Sequence, residues 1–205
     1  MPFNVLSISQ VLCVTRGLDY LHTRGVIHGD VKPVGISFHP AHVSMSLTKF
    51  KQNILVNAKG DACLADFGLS IVACNKISSR DQGRRARCHS SLWVAPETLN
   101  EGRISKEVDV FCYSLVALEV RCFGNTGSCH ADRSVQIFKG GSPWGQATAP
   151  QIMTNIALAK RPSRPKGAEP LELTTEVWNC LTRCWHQNPE ERMTISEVLA
   201  LLNTT

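Results

Sequence analysis

Residues 53–68, NILVNAKGDACLADFG, decide the fold. Two short apolar runs, Ile54–Val56 and Ala62–Leu64, flank the segment NAKGD, whose asparagine and glycine favour a turn. Runs of three apolar residues suit short strands and are too short for helices. The stretch therefore predicts a small β-hairpin, with Asn53 just before it and Asp66 just after it.

Helices are predicted on both sides of the hairpin. Residues 11–23 carry apolar side chains at helical spacing, and Gly25 follows as a stop signal. Residues 108–119, VDVFCYSLVALE, are apolar nearly all round, which is typical of a helix buried on every side. Two further helices are predicted over residues 173–185 and 194–202, the second after a capping box.

Composition places the chain among globular proteins. It has 205 residues, of which 43% are hydrophobic and 19% charged, so neither a disordered nor a fibrous class is indicated. Its nine cysteines are an odd number, and no signal-like segment opens the sequence, so we expect reduced thiols in a cytoplasmic, intracellular protein. No run of 18 apolar residues predicts a membrane span.

Zinc binding and nucleic-acid binding are both less favoured than plainer interpretations of the same residues. Cys180, Cys184 and His186 lie close in sequence, but no second ligand pair at zinc spacing follows, so core cysteines are the favoured interpretation. The basic segment RDQGRRARCHS, residues 80–90, resembles a solvated loop more than a nucleic-acid site, because it lacks interleaved aromatic residues. We expect no nucleic-acid partner.

A series of motifs appears once residues 34–51 are set aside. The remaining sequence reads HGDVKPQNILV, with Asn53 five positions after Asp30. The motifs that follow in order are DFG at 66–68, WVAPE at 93–97 and NPEER at 188–192. This order of motifs resembles that of the protein kinase family, and the segment GLDYLHTRGVIHGD resembles its tyrosine-kinase-like branch. The resemblance covers residues 11–202, which correspond to the C-terminal lobe.

The resemblance implies a role for each of five residues. Asp30 would be the catalytic base, and Lys32 a point charge on the transferred phosphate. Asn53 and Asp66 would be the magnesium ligands, and Leu55 would line the floor under the adenine. The implied cofactors are ATP and Mg²⁺, and the partner is a protein substrate. Lysine two residues after the base favours a serine or threonine hydroxyl as acceptor.

Other matching positions imply structural roles. Glu97 would pair with Arg192, and Asp109 would hold the backbone of the catalytic loop. His28 would be a packing residue and not a base. Ser90 stands where the branch usually has a threonine that contacts the catalytic loop.

The chain departs from the family pattern at Gly29 and before residue 11, as well as at two inserted segments. Gly29 replaces the arginine that normally binds a phosphorylated activation loop, so we do not expect control by such a phosphate. Nothing before residue 11 resembles the glycine-rich loop or the V-A-I-K lysine of the N-terminal lobe.

These features predict an α+β, mainly helical fold: a kinase-like C-terminal lobe with a small β-hairpin and without the N-terminal lobe. Residues 1–10 stay unassigned, and residues 11–202 form the lobe. We expect a protein serine/threonine kinase domain by family, inactive as this truncated chain. The alternative is a pseudokinase or a kinase-lobe interaction module, which would have no need to keep Asp30, Lys32, Asn53 and Asp66.

Residues 34–51 and 120–136 interrupt the family pattern. Val34 and Val120 require GT at the start of their codons, while Lys51 and Gln136 allow AG at the end of theirs. Removing both segments restores QNILV after HGDVKP and joins YSLVALE to IFKGGSPWG. We therefore predict that both are translated introns, with genuine surface loops as the alternative.

Overall fold

The computed structural model describes residues 8–32, 53–57, 59–72, 94–118, 144, 147–164 and 173–204. Within these residues the helices are α1 (Ile8–Thr23), α2 (Pro96–Glu101), α3 (Lys106–Leu118), α4 (Ala149–Ala157), α5 (Thr175–Cys184) and α6 (Ile195–Leu202). The strands are β1 (Val26–Ile27), β2 (Ile54–Val56), β3 (Ala62–Leu64) and β4 (Ile71–Val72). Short 3₁₀ turns lie at Phe67–Leu69 and Pro189–Glu191. The predicted fold class, mainly helical α+β with a small hairpin, is confirmed.

The predicted hairpin is β2 and β3, paired antiparallel with Ile54 opposite Leu64 and Val56 opposite Ala62. Its turn forms because Asn57 Oδ1 accepts hydrogen bonds from two backbone amides, at 2.8 and 2.9 Å. One further bond, from the Ala65 N–H to the Asn53 carbonyl at 2.8 Å, continues the ladder. Asn53, which precedes β2, and Ala65, which follows β3, are thereby held side by side.

A second strand pair was not predicted. β1 pairs antiparallel with β4, with Val26 opposite Val72 and Ile27 opposite Ile71. Each strand has only two residues, so neither shows a periodicity that a sequence could reveal. This pair brings the segment after Phe67 beside the segment before Asp30.

Helix α1 begins three residues earlier than its apolar pattern predicts, at Ile8. Its first turn is tied to the hairpin turn, because Gln10 Nε2 donates to the Gly60 carbonyl at 2.6 Å. Further along, a Cβ on Gly17 would lie 3.2 Å from Leu64 Cδ1, so the helix and β3 are in close contact. The helix ends before Gly25, which has a left-handed φ of 71°.

Helix α3 is the core helix that the sequence predicts. Every side chain from Val108 to Leu118 is buried, while Glu119 lies outside the described residues. α1 and α5 pack against it, and α6 packs against both α1 and α5, with Leu18, Leu181 and Val198 among the buried residues. Burial of this extent is the main favourable term in the stability of the lobe.

The two C-terminal helices have the predicted type and slightly different bounds. α5 starts at Thr175 because the Thr174 hydroxyl accepts from the Val177 amide at 3.3 Å. α6 has the predicted capping box, in which the Thr194 amide donates to Glu197 Oε2 at 2.7 Å. Helices α2 and α4 were not predicted.

Several predictions concern residues outside the described part of the chain. These are the assignment of Ser90, the basic loop at 80–90, and the two segments 34–51 and 120–136. Among the helices that are described, none combines the length and apolar character needed to cross a bilayer.

Candidate active site

The loop at residues 28–32 is anchored from below by a buried carboxylate of α3. Asp109 has no exposed surface; its Oδ2 accepts from the His28 amide and its Oδ1 from the Gly29 amide, both at 2.8 Å. His22 of α1 adds a third contact, with Nε2 2.9 Å from Asp109 Oδ2. The predicted role of Asp109 is confirmed. His22 was missed, because only the fold brings it to Asp109.

His28 links the loop to the segment after the hairpin. Its ring is fully buried, and Nε2 lies 3.1 Å from the Ala65 carbonyl. A carbonyl can only accept, so Nε2 carries the proton, and Nδ1 is free to accept from the Asp30 amide at 3.3 Å. Both ring nitrogens are therefore engaged with backbone groups, which agrees with the predicted packing role.

Asp30, Lys32 and Asn53 form one polar cluster. Asp30 Oδ2 accepts from Lys32 Nζ at 2.5 Å and from Asn53 Nδ2 at 2.8 Å. Asn53 Nδ2 also donates to the Asp30 carbonyl, at 2.7 Å. The side chains of Asp30 and Lys32 are only 9% and 13% exposed, so little solvent weakens the pair. Residues 23 positions apart in sequence are thus joined directly.

The other end of the Asn53 side chain is the unusual feature of this cluster. Asn53 is fully buried, and among the residues that the structure describes its Oδ1 has no hydrogen-bond partner. A buried amide oxygen without a partner is unfavourable by about 1–3 kcal/mol, so such atoms are rare. Amide and carboxylate oxygens are also the ligands that Mg²⁺ and Ca²⁺ prefer. The donor set therefore fits a divalent cation, with Asn53 Oδ1 as one ligand.

Asp66 lies next to Asn53 because the Ala65 amide is bonded to the Asn53 carbonyl. Its backbone is left-handed, with φ 58° and ψ 71°, a conformation that is strained for a residue with a Cβ. The carboxylate is exposed and accepts a long bond, 3.3 Å, from the Gly68 amide. A carboxylate so disposed can turn toward a cation held at Asn53.

Leu55 projects from the hairpin beside these groups. Its side chain is 41% exposed, and its cross-strand partner is Cys63, which is exposed as well. Ile54, its neighbour in β2, is fully buried. The hairpin thus has one face in the core and an apolar outer face at Leu55.

A separate ion pair supports the lobe away from this cluster. Arg192 donates to both carboxylate oxygens of Glu97, at 2.6 and 2.8 Å, and to the Glu107 carbonyl at 2.9 Å. The predicted Glu97–Arg192 pair is confirmed. Arg161 and Arg192 lie 5.1 and 5.0 Å from the centre of the Phe111 ring. Burial, together with the charge of Arg192, lowers the pKa of Arg161 to about 10.

The zinc interpretation of Cys180 and Cys184 finds no support in the geometry. Both thiols are buried in the core. The hydrogen bond with Cys180, together with burial, raises the pKa of Cys184, which disfavours the thiolate that zinc requires. In the part of the chain that the structure describes, no three His, Cys, Asp or Glu side chains are grouped to hold a metal.

The fold and this cluster define a class: a helical lobe that presents an acid, a cation and a candidate metal site beside a β-hairpin. Comparison with known proteins gives the family. The model for protein tyrosine and serine/threonine kinases matches residues 50–202, and the chain belongs to this family. By family it is a protein kinase. The matched range includes Asn53 and Asp66 and begins after Asp30.

Three relatives are similar to this chain over nearly its whole length. The chain is 26% identical to the serine/threonine/tyrosine-protein kinase HT1 of Arabidopsis thaliana over 96% of its length. It is 24% identical to the serine/threonine-protein kinase STY17 of the same plant over 98%, and 29% identical to a light-sensor protein kinase of Ceratodon purpureus over 93%. The chain spans 40%, 28% and 13% of the length of these three relatives.

Proposed function

We propose that this lobe carries the catalytic base and the magnesium ligands of a protein kinase that transfers the γ-phosphoryl group of ATP to serine or threonine hydroxyls. Use of ATP and Mg²⁺, and protein substrates, are general to the family. The assignment of individual roles rests on the geometry of the cluster around Asp30.

The single observation that carries the proposal is Asn53 Oδ1, which is buried and has no partner within the described part of the chain. Its Nδ2 is fixed by two bonds to Asp30, so Oδ1 must point away from that residue. Together with the carboxylate of Asp66 it would hold the cation, and phosphate oxygens and water would complete the coordination shell. When bound, magnesium would neutralise charge on the phosphates.

Asp30 is suited to take the proton of the substrate hydroxyl. Its Oδ2 already accepts from Lys32 and Asn53, which leaves Oδ1 as the acceptor for a third donor. As the substrate oxygen bonds to phosphorus, its O–H proton passes to Asp30, and the bond from phosphorus to the ADP oxygen breaks. Lys32, within reach of the same carboxylate, would stabilise negative charge on the transferred group.

The relatives above support a serine or threonine acceptor, because each of those whose name states a specificity is a serine/threonine or a serine/threonine/tyrosine kinase. Gly29 supports the expectation that a loop phosphate does not control this site. Its φ is 77°, and a Cβ there would lie 3.0 Å from the Leu69 carbonyl oxygen. A larger residue would therefore require the neighbouring segment to shift.

Cation binding by the 205-residue chain tests the proposal directly. Mn²⁺, a paramagnetic substitute for Mg²⁺, is titrated in the presence of ATP and followed by electron paramagnetic resonance. We expect saturable binding that Asn53→Ala abolishes. Asn179→Ala, which changes an exposed asparagine of α5, is the matched control and should bind normally. Equal binding by wild type and Asn53→Ala would refute the assignment.

Phosphotransfer is tested on two proteins. The 205-residue chain alone should transfer no phosphate, because its sequence before residue 11 contains neither the glycine-rich loop nor the lysine strand. A fusion that supplies both from an active kinase of the family should label serine and threonine peptides in the presence of Mg²⁺. A fusion that binds Mn²⁺ and ATP but stays inactive would favour the pseudokinase alternative.

We propose in addition that residues 34–51 and 120–136 are absent from the mature protein. Lys32 Nζ and Asn53 Nδ2 contact the same oxygen of Asp30, so the chain ends on either side of the first segment lie close together. After removal, Pro33 and Gln52 must join Lys32 to Asn53, a link that can reach about 11 Å. Sequencing the spliced transcript tests this: persistence of both segments would contradict it.

We also propose an intracellular location. ATP is an intracellular substrate, and the five cysteines of the described residues are free thiols, as expected of a reducing compartment. Fractionation of cells that express a tagged chain would test this; recovery from the medium would contradict it.

A further inference from the structure

Ser70 connects the segment after the hairpin to the catalytic loop. β1 and β4 pair through Ile27 and Ile71, so His28 and Ser70 are the next residues on the two chains. The Ser70 hydroxyl donates to the His28 carbonyl at 3.0 Å. This side-chain bond continues the contact between the two segments one step beyond the last backbone pair.

The hydroxyl is needed because the backbone amide of Ser70 is already used. That N–H donates to the Phe67 carbonyl at 3.1 Å and closes the 3₁₀ turn at Phe67–Leu69. The His28 carbonyl therefore takes its bond from the serine side chain. Alanine at position 70 would leave the partly buried His28 carbonyl without this donor and weaken the contact between residues 66–70 and residues 28–30, here called the junction.

The two segments are in close contact around this bond. A Cβ on Gly29 would lie 3.0 Å from the Leu69 carbonyl oxygen and 3.2 Å from Ile104 Cγ2. Asp66, at the other end of the 3₁₀ turn, has a left-handed backbone, a strained state that persists only where its surroundings enforce it. The bond at Ser70 and the one from His28 Nε2 to the Ala65 carbonyl bracket Asp66 on both sides.

We propose that Ser70 is a positioning residue: its hydroxyl fixes residues 66–70 against residues 28–30 and so holds Asp66 in place beside Asn53 and Asp30. It touches no substrate and acts through the backbone. The inference rests on the proposed function only in so far as Asp66 binds a cation; the junction itself is independent of that.

The test uses the 205-residue chain with Mn²⁺ and ATP as the probe, and amide hydrogen exchange as a second measurement. Ser70→Ala should weaken Mn²⁺ binding about tenfold and speed exchange at the Ser70 and Ile71 amides about tenfold. Ser70→Thr should restore both to within about twofold, because the position is extended, with φ −65° and ψ 143°, and suits a β-branched hydroxyl residue.

The control is Ser114→Ala, which also removes a hydroxyl bonded to a carbonyl, that of Phe111 at 2.6 Å, but in the core helix. It should leave both measurements unchanged at temperatures where all variants are folded. If Ser70→Ala binds Mn²⁺ as wild type does while Asp66→Asn does not, Ser70 has no positioning role.

Failure of the proposed function has a different signature. If wild type binds no Mn²⁺, the cation assignment is wrong, and the exchange data alone decide about Ser70. Exchange at Ser70 and Ile71 that is unaltered in Ser70→Ala would then overturn the inference, whereas faster exchange that Ser70→Thr reverses would support the junction.

Discussion

Two buried polar clusters in this lobe differ in how completely they are bonded. Around Asp109, three donors meet one carboxylate, and Arg192 makes a two-pronged pair with Glu97. Around Asp30, the bonds are complete on one side only, since Asn53 Oδ1 has no partner among the described residues. In the first cluster both oxygens of each carboxylate are bonded. In the second, the unbonded oxygen lies where we propose that the cation binds.

The difference separates stability from function within one small lobe. Removing a member of a completed buried pair leaves a charge without compensation, so the fold suffers. Removing a member of an incomplete cluster deletes a reacting or ligand-binding group, so activity suffers more than stability. Substitutions in the two clusters should therefore affect different measurements.

The largest effect is expected at Asp30. In the active fusion, Asp30→Asn should lower kcat by about 10²–10⁴-fold, because the amide cannot accept the proton. Its free energy of unfolding should fall less than that of Arg192→Ala: Lys32 loses its charged partner, but the amide oxygen at position 30 can still accept from it. Asp61→Asn, in the exposed hairpin turn, is the control and should keep normal activity. Unchanged kcat in Asp30→Asn would remove the base assignment.

Next in size is the loss of the buried ion pair. Arg192→Ala should lower the free energy of unfolding by about 3–5 kcal/mol, measured by urea denaturation, because Glu97 is left buried without its partner. Arg192→Lys keeps the charge and loses the two-pronged geometry, so its free energy of unfolding should lie between those of wild type and Arg192→Ala. Arg183→Ala, at an exposed site on α5, should change stability by less than about 0.5 kcal/mol. Equal values for Arg192→Ala and Arg183→Ala would contradict the comparison.

Deletion of residues 34–51 should stabilise the chain by about 2 kcal/mol. The deletion shortens the connection between Lys32 and Asn53 from residues 33–52 to two residues, and closure entropy scales with the logarithm of loop length. Mn²⁺ binding should be preserved, since the Asp30–Asn53 bonds do not involve the deleted residues. Loss of binding would show that the segment supports the incomplete cluster.

The smallest effect concerns the N-cap of α6. Thr194→Ala should lower the free energy of unfolding by about 1 kcal/mol at neutral pH. Hydrogen bonds from the Thr194 amide and hydroxyl lower the pKa of Glu197 below its ordinary value of 4.5. This contribution is present above pH 4.5 and lost as the pH falls through the lowered pKa, so the difference between wild type and variant should become smaller in acid. The bond from the Glu197 amide to the Thr194 hydroxyl persists there. Thr182→Ala should show no such pH dependence.

Sequence patterns predicted the elements with regular periodicity. The hairpin, α3 and the capping box at Thr194 were found because each has a local signal. The β1–β4 pair was missed because two-residue strands carry no period. α2 has six residues and α4 nine, each with a proline near its start, and neither offers enough turns for an apolar stripe to be recognised.

The candidate site was predictable in its residue types and not in its bonding. Motif order pointed to Asp30, Lys32, Asn53 and Asp66, but no motif states which oxygen of Asp30 is occupied. The unpartnered Oδ1 of Asn53 and the contact of His22 with Asp109 depend on through-space distances between residues 23 and 87 positions apart. Such contacts exist only after the chain has folded.

The bond from Gln10 to Gly60 has a mechanical consequence. The hairpin is held at its tip by the first turn of α1 and at its base by the bonds from Asn53 to Asp30. Because it is bonded to the lobe at both ends, the hairpin cannot rotate away from the lobe as a unit. At the nucleotide site proposed above, we therefore expect exchange to leave the hairpin in register with the lobe.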